Sequence, residues 1–571
     1  MTNPVKKNVD IPQTPEKYWK RYEKGMEYLT NKQLIPKTNK AWNFYSGNQW
    51  EGMKSGGEEL PFLNFIKPTI KHKVSTVSQN NMVAKYSDAE GREEKETMAI
   101  YSKLNAMFAR CWEKSNMDME LWATTKDSAV TGDGIQYYGT ANVEDVQRLL
   151  NTSVLYGDES NQNIQQQPYI IIVQRLTVGA VRERARLNNI PESEIKRITA
   201  DNDTENLVGN RDEVTNDSSS NESKVTCIIH MEKKGGIVHV TQCTRSVIFE
   251  PEHPIQVTLA NGEPGRGLTL YPLVKISWED YPNSARGISE VTQLIPNQLE
   301  INKTLARRSM IIKLTAFPRI AYDGNAITNP EALGEVGAPI EMQSGGVQSI
   351  NQIISYLNPA QSNSDPKNYA DDLLSNSQEL SGSGETAMGN INPNRVAASA
   401  IIAIRDQAAL PLNEQVAKMK TFVEDLAKLW VEIWAVYHPD GFDVAIDTTD
   451  DIGESHRTVE RVTTEELDNM KPDIRIDVSQ DNPWTKEAEQ TALDSMLEKQ
   501  HITFKEYVEL APDNSVVPKN KLMEVFRKRK LEQQEQMKQE AAGLQATYGA
   551  DMQAAQKAWE AQDGNSEQAV Q

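Results

Sequence analysis

The sequence predicts an α+β fold, mainly helical and divided among several structural regions, on three observations. At 571 residues the chain is longer than one hydrophobic core usually serves. Apolar residues recur at helical spacing over long segments, among them 14–30, 287–317 and 394–438. Between 168 and 243, by contrast, β-formers dominate and a Gly235-Gly236 pair supplies a turn.

Taken in order, Thr14-Pro15 starts a helix carrying Tyr18, Tyr22, Met26 and Leu29 on one face. An aromatic turn is expected over 41–52 and a second helical pattern over 60–81. Trp42, Phe44, Tyr45 and Trp50 resemble a base-stacking platform, but no basic residues are interleaved among them, so packing is the simpler reading. One or two helices follow over 94–130, and DGIQYYGT (133–140) opens the β region. Strands are expected over 168–176 and in the hairpin 224–243. The acidic, Ser- and Asn-rich stretch between them predicts a disordered surface loop over 201–223.

From Gly287 a long helix bent at Pro296 is expected, then a compact insert of short strands and turns over 318–358, punctuated by Gly and Pro. Helical spacing resumes at 364–380 and, after a Gly, Ser and Asn loop, runs from 394 to 438 with Pro411 inside. Val423, Leu426, Trp430 and Trp434 share a face there, which suits a core or an interface. Two strand-like runs, Phe442 to Asp447 and Ile474 to Val478, precede helices at 483–500, 504–510 and 518 to about 548.

Composition narrows the function. Hydrophobic residues at 38% and charged residues at 25% are ordinary globular usage, with a mean hydropathy of -0.60 on the polar side. A formal net charge of -20 argues against a surface built to clamp phosphates, although nucleic acid can be handled without being held. Cys111, Cys227 and Cys243 are odd in number and widely spaced, which suits a reducing cytosol and neither a disulfide framework nor a zinc site. The opening MTNPVKKNVDIPQTPEKYWK has no signal-peptide stretch and the apolar runs are too short to span a bilayer, so no membrane association is expected.

No catalytic constellation emerges. GxxxxGK[ST], HExxH and GxSxG do not occur, and SGSGETAMG has the wrong glycine spacing for a dinucleotide turn. The scattered histidines, His230 and His239 among them, read as structural. Asp201, Asp203 and Glu205 open like a calcium loop, but Asn206 and Asp212 stand where glycine and a bidentate glutamate are needed. Pairs such as Asp371-Asp372 and Asp450-Asp451 are expected by chance among 81 acidic residues. KLMEVFRKRKLEQQEQMKQE (521–540) suits i to i+4 pairing, with a subunit or DNA contact as the other possibility. The expectation is a non-enzymatic protein with no catalytic residue, metal or cofactor.

The order of parts, together with WNFYSGNQW, NFIKPTIKHKVSTVSQNN, GISEVTQLIPNQLEINKTLARRSM and SGSGETAMGNINPNRVAASAI, resembles the portal proteins of tailed double-stranded DNA bacteriophages over roughly residues 14–540. That resemblance implies a portal-type subunit: an N-terminal wing region (1–285), first stem helix (286–317), clip (318–358), second stem helix (359–380), channel loop (381–394), long bent helix (395–440), wing strands (441–482), and a C-terminal helical crown and tail (483–571). It also implies a head-tail connector in the virion, a homo-oligomeric and usually dodecameric ring at one capsid vertex, assembled in the host cytoplasm. Double-stranded DNA is packaged and ejected through it without sequence specificity. Its implied partners are the terminase large subunit, major capsid and scaffolding proteins, and a head-completion or tail adaptor protein. The rival readings are a carboxylate and Mg²⁺-dependent nuclease and a virion scaffold or adaptor.

A channel that lets DNA slide should hold it weakly, and a net negative charge serves that end. Lys303, Arg307, Arg308 and Lys313 on the first stem helix are candidates for sparse basic rings, or else for pairing with acidic residues of a neighbouring subunit. In the channel loop, Ser381, Gly382, Ser383, Gly384, Gly389, Asn390 and Asn392 suit backbone freedom, with Glu385 the one charge. A mobile interhelical linker is the plainer reading of that segment.

Overall fold

The computed structural model describes residues 14–52, 60–78, 80–88, 95–201, 222–259, 262–316, 319–335, 337–343, 353–357, 365–382, 384, 410–449, 455–463, 472–480, 492–499, 501–510 and scattered positions from 522 to 529. The chain divides into two compact units, Met1–Ile446 with Val459–Ser479, and Asp447–Thr458 with Gln480–Gln571.

In the first unit, α1 (Pro15–Asn31), α2 (Leu34–Ser46) and α3 (Ile66–Ser78) lead to β1 (Asn80–Asp88), then α4 (Lys95–Lys114) and α5 (Met117–Thr131). Of the aromatic segment expected as a turn, 41–46 is instead the last part of α2, which Gly47 ends at a φ of 105°, and the turn itself occupies 47–52 with Trp50. The helical pattern expected over 60–81 splits into extended backbone, α3 and the start of β1, because only 66–78 has a buried face along one side. Strands β2 (Asp133–Tyr137), β3 (Gln147–Leu149), β4 (Val154–Tyr156) and β5 (Tyr169–Thr177) follow, with α6 (Val178–Leu187) and the single turn α7 (Glu192–Ile195). Next come β6 (Lys224–Lys234), β7 (Ile237–Cys243), β8 (Ile248–Pro254), β9 (Gln256–Thr258), β10 (Pro264–Gly267) and β11 (Leu273–Ser277).

The expected hairpin is β6–β7, turned by Gly235 and Gly236 at φ 61° and 85°, a left-handed pair that glycine adopts without Cβ strain. It forms the centre of a five-stranded antiparallel sheet ordered β4-β5-β6-β7-β8, while β11-β2-β3 forms a smaller sheet. Asp201, which opens the calcium-loop-like stretch, accepts from Thr226 Oγ1 at 2.6 Å and pairs with the buried Arg175 guanidinium at 3.2 Å. Asp203, Glu205, Asn206 and Asp212, with the rest of 202–221, lie outside the described residues. Cys111, Cys227 and Cys243 are buried free thiols.

The long helices are α8 (Glu290–Ala316), α9 (Asp365–Leu380) and α10 (Asn413–Tyr437), with β12 (Arg319–Tyr322) pairing antiparallel to β13 (Ile354–Leu357) between the first two. Ala326, Ile327 and Ile353 make a small separate cluster there. Pro411 lies in a 3-10 turn, Leu410–Leu412, and α10 starts only after it, since a proline within the helix would lose an i to i-4 bond. In α10, Phe422, Val423, Leu426, Trp430 and Trp434 are buried in the largest core cluster, against Phe108 and Tyr138. That places both tryptophans in the core of the subunit.

Strand β14 (Phe442–Thr449) pairs with β15 (Ser455–Val462), which the sequence reading missed, and β16 (Pro472–Gln480) pairs with β1. In the second unit, residues 492–498 are helical and Phe504–Leu510 is a short helix started by a capping box: Thr503 Oγ1 accepts from the Glu506 amide at 3.4 Å and Glu506 Oε2 accepts from the Thr503 amide at 2.8 Å. Tyr507 donates to Asp494 at 2.6 Å.

Two outcomes follow from this packing. His230 lies on β6 beneath α1, with Arg21 Nη1 2.8 Å from its Nε2, and burial and the guanidinium lower its pKa to about 3. The unfolded chain, with an imidazole near 6.5, therefore takes up a proton first as pH falls, so stability is lost between about 6.5 and 3. Melting temperature against pH should show that loss in wild type and a flatter profile in His230→Gln. Separately, a Cβ on Gly287 would lie 2.5 Å from the Gly132 carbonyl oxygen and 2.9 Å from Ser277 Cβ. Gly287→Ala should cost about 2–3 kcal/mol in denaturant unfolding, and an unchanged midpoint would mean that the two backbones are not held together.

Candidate channel helix and loop

Helix α8 is started by Ser289, whose hydroxyl accepts from the Thr292 amide at 3.2 Å and donates to the Val130 carbonyl at 2.6 Å. Glu290 in the first turn pairs with Lys73 at 2.6 Å and accepts from Trp278 Nε1 at 3.1 Å. Just upstream, the buried Arg286 donates from Nε and Nη2 to the two oxygens of Glu159 at 2.9 and 2.8 Å, and to the Asn151 and Val154 carbonyls. The start of the helix is thus fixed to β4, to α5 and to α3.

The middle of α8 carries a polar stripe that the sequence reading passed over. Gln298 and Asn302, four residues apart and both fully buried, face the extended segment before α3. Gln298 accepts from the Phe65 amide at 3.1 Å and donates to the Leu63 carbonyl at 2.6 Å, while Asn302 accepts from the Leu63 amide at 3.2 Å and donates to Gln49 at 2.5 Å. Two helix side chains so satisfy extended backbone that has no strand beside it. The available signal was a pair of amides at i, i+4 in the apolar face of a helix. On α8's other flank Asn297 donates to Ser377 Oγ at 3.0 Å, and that hydroxyl donates to the Leu373 carbonyl at 2.6 Å, joining α8 to α9.

Beyond Leu305 the helix leaves the core. Arg307, Arg308 and Lys313 are exposed and Lys303 is half-buried. They do not form one stripe: Lys303 and Arg307 share a face at i, i+4, whereas Arg308 is turned about 100° from Arg307 and Lys313 about 120° the other way. Arg307 pairs with Glu300 of its own helix at 3.4 Å, and among the described residues no carboxylate pairs with Lys303, Arg308 or Lys313. Met310 and Ile312 are half-exposed beside them, as is Tyr369 on α9.

The expected loop starts as a helix terminus. Ser381 is buried, its amide donating to the Ser377 carbonyl at 3.1 Å and its hydroxyl to the Gln378 carbonyl at 2.9 Å. Gly382, at φ 69°, ends α9 with a left-handed residue and donates to the Glu379 carbonyl at 2.9 Å. Gly384 is half-buried. Ser383, Glu385, Gly389, Asn390 and Asn392 lie outside the described residues.

No three His, Cys, Asp or Glu side chains among the described residues are grouped to hold a metal ion, and no described helix is long and apolar enough to cross a membrane. The two readings of the basic residues separate by substitution. Arg307→Ala should move subunit stability by less than about 0.5 kcal/mol, as an exposed pair contributes little. Lys303→Glu with Arg307→Glu should impair DNA transit in assembled rings if these groups face a lumen, and ring assembly itself if they pair with a neighbour.

Among solved structures, a chain described as the virion of a native gene transfer agent particle is similar at 9% identity over 78% of this chain and 88% of that chain, with a TM-score of 0.33, too loose to bear on the site. No curated protein matches. The model of the phage P22-like portal protein family matches residues 181–571, from α6 through α8, α9 and α10 to the C-terminus. With well over half its length matched, this chain belongs to the phage P22-like portal protein family.

Proposed function

We propose that copies of this chain close into a ring around double-stranded DNA at one capsid vertex, and that α8, α9 and the segment after Gly382 line or frame its channel. Family membership supports an oligomeric ring within a virion and a structural role. The observation that carries the further assignment is the change in α8 at Leu305. Up to that residue the helix is held by buried amides; beyond it, Arg308, Met310, Ile312 and Lys313 are exposed among the described residues. Apolar and cationic groups exposed together on a helix suit a face that another copy covers in part.

In this reading residues 1–285 and 441–482 form the wing, 286–317 and 359–380 the stem, 318–358 the clip, 381–394 the channel loop, 395–440 the long helix, and 483–571 the crown and tail. The ring docks the terminase large subunit during packaging, contacts the major capsid and scaffolding proteins, and later carries a head-completion or tail adaptor protein. The chain's charge of -20 supports weak, sequence-independent passage, because few phosphates can be neutralised at once and sliding meets low barriers.

Solution mass and negative-stain images test this: a particle about twelve times 64.1 kDa with a central hole is expected, whereas a monomer with Mg²⁺-dependent DNA cleavage would overturn it. Met310→Glu with Ile312→Glu should lower the assembled fraction. Deleting 383–392 should leave rings intact but impair DNA packaging or retention, and loss of rings instead would make that segment a structural joint.

A further inference from the structure

A cavity of about 360 Å³ opens in the first unit between the end of β2, the bulged strand β8, the β9–β10 hairpin and the last turn of α10. Its wall is largely apolar, with Ile255, Ile433 and the rings of Tyr137 and Tyr437 among its lining, and no lysine or arginine lines it. Two polar groups converge at one side, Glu250 and His253, both on β8.

Their geometry poses a donor deficit. His253 Nδ1 lies 3.0 Å from the Pro251 carbonyl oxygen, which can only accept, so Nδ1 carries the hydrogen. In the neutral imidazole Nε2 then presents a lone pair, and it faces Glu250 Oε1 at 3.3 Å. A carboxylate oxygen and an imine nitrogen at that separation are two acceptors needing a shared proton or a shared donor. The exposed Arg184 of α6, outside the cavity wall, also acts on Glu250 through its charge. Burial raises the Glu250 pKa, with His253 and Arg184 only partly offsetting it. The C-terminal turn of α10, which ends at Tyr437, adds the negative end of a helix dipole.

We propose that this cavity binds an alkylammonium, its –NH₃⁺ donating to Glu250 Oε1 and His253 Nε2 and its methylenes lying against Ile255, Ile433 and the faces of Tyr137 and Tyr437. A primary ammonium supplies three donors to the two waiting acceptors, and tyrosine faces favour a cation over a neutral group. An anion would meet Glu250 and the helix C-terminus unfavourably. A purely apolar ligand would leave the half-buried carboxylate without a donor. The same chemistry comes from a free diamine or from a lysine side chain of a second copy.

Titration calorimetry on the full-length chain with 1,4-diaminobutane, using 1,4-butanediol as the uncharged isostere, tests the assignment. The diamine is expected to bind at least about tenfold tighter than the diol, since a charge-assisted hydrogen bond is at stake, and Glu250→Gln should abolish that preference. His253→Leu, which keeps the carboxylate, should weaken diamine binding several-fold and guards against a folding defect in the first variant. Binding without a change in particle mass identifies a free amine as the occupant; binding that dissociates the assembly identifies a neighbour's lysine. Equal affinity for diamine and diol, no binding of either, or a preference unchanged in Glu250→Gln overturns the proposal.

Discussion

The close backbone approach of Gly132 and Gly287 is the constraint on which the rest of the larger unit hangs. Gly132 ends α5 at a φ of 101°, and its carbonyl accepts from the Trp278 amide at 2.9 Å. Gly287 meets it face to face and donates to Asp133 Oδ1 at 3.0 Å, the same oxygen that accepts from Ser277 Oγ at 2.8 Å. With no Cβ on either side, the end of α5, the first residue of β2 and the run-up to α8 occupy a space that larger residues would force apart.

Charge reinforces that junction. Asp133 and Glu159 are buried next to Lys275 and Arg286, so the junction holds two anions and two cations, and the Arg286–Glu159 pair is bidentate. Arg286 also stacks 4.6 Å over the Tyr156 ring. Such a set is worth little beyond a well-packed apolar alternative, but losing one member strands the others at a cost of about 3–5 kcal/mol. Its consequence is directional: α8 leaves the body at one fixed angle, set by Arg286, Ser289 and Glu290 within its first turn and the residues before it.

In the channel-framing role proposed for α8, that rigidity at the root matters more than any single side chain at the tip. Gln298 and Asn302 extend the anchoring for three further turns, and Asn297 ties α9 to the same base. Past Leu305 the anchoring stops and exposed cations and apolar groups take over. A rigid base with an outer half exposed among the described residues suits the proposed completion by assembly, and sparse, scattered cations suit the proposed contacts with DNA that are made and released easily.

The sequence by itself determined the class, the helical segments α1, α4, α5, α8 and α9, and the β6–β7 hairpin, because these are written in local periodicity, prolines and a Gly-Gly turn. It also carried the family resemblance through the order of those parts. Only the tertiary structure decided that residues 41–46 are helix, that β1 joins β16 across nearly four hundred positions of sequence, and that β15 exists, since each depends on a partner far along the chain. The same holds for Glu159 with Arg286, 127 residues apart, and for Glu250, His253, Tyr137 and Tyr437 around one cavity. Burial, hydrogen-bond satisfaction and the missing donor at His253 are properties of that juxtaposition, and no local pattern encodes them.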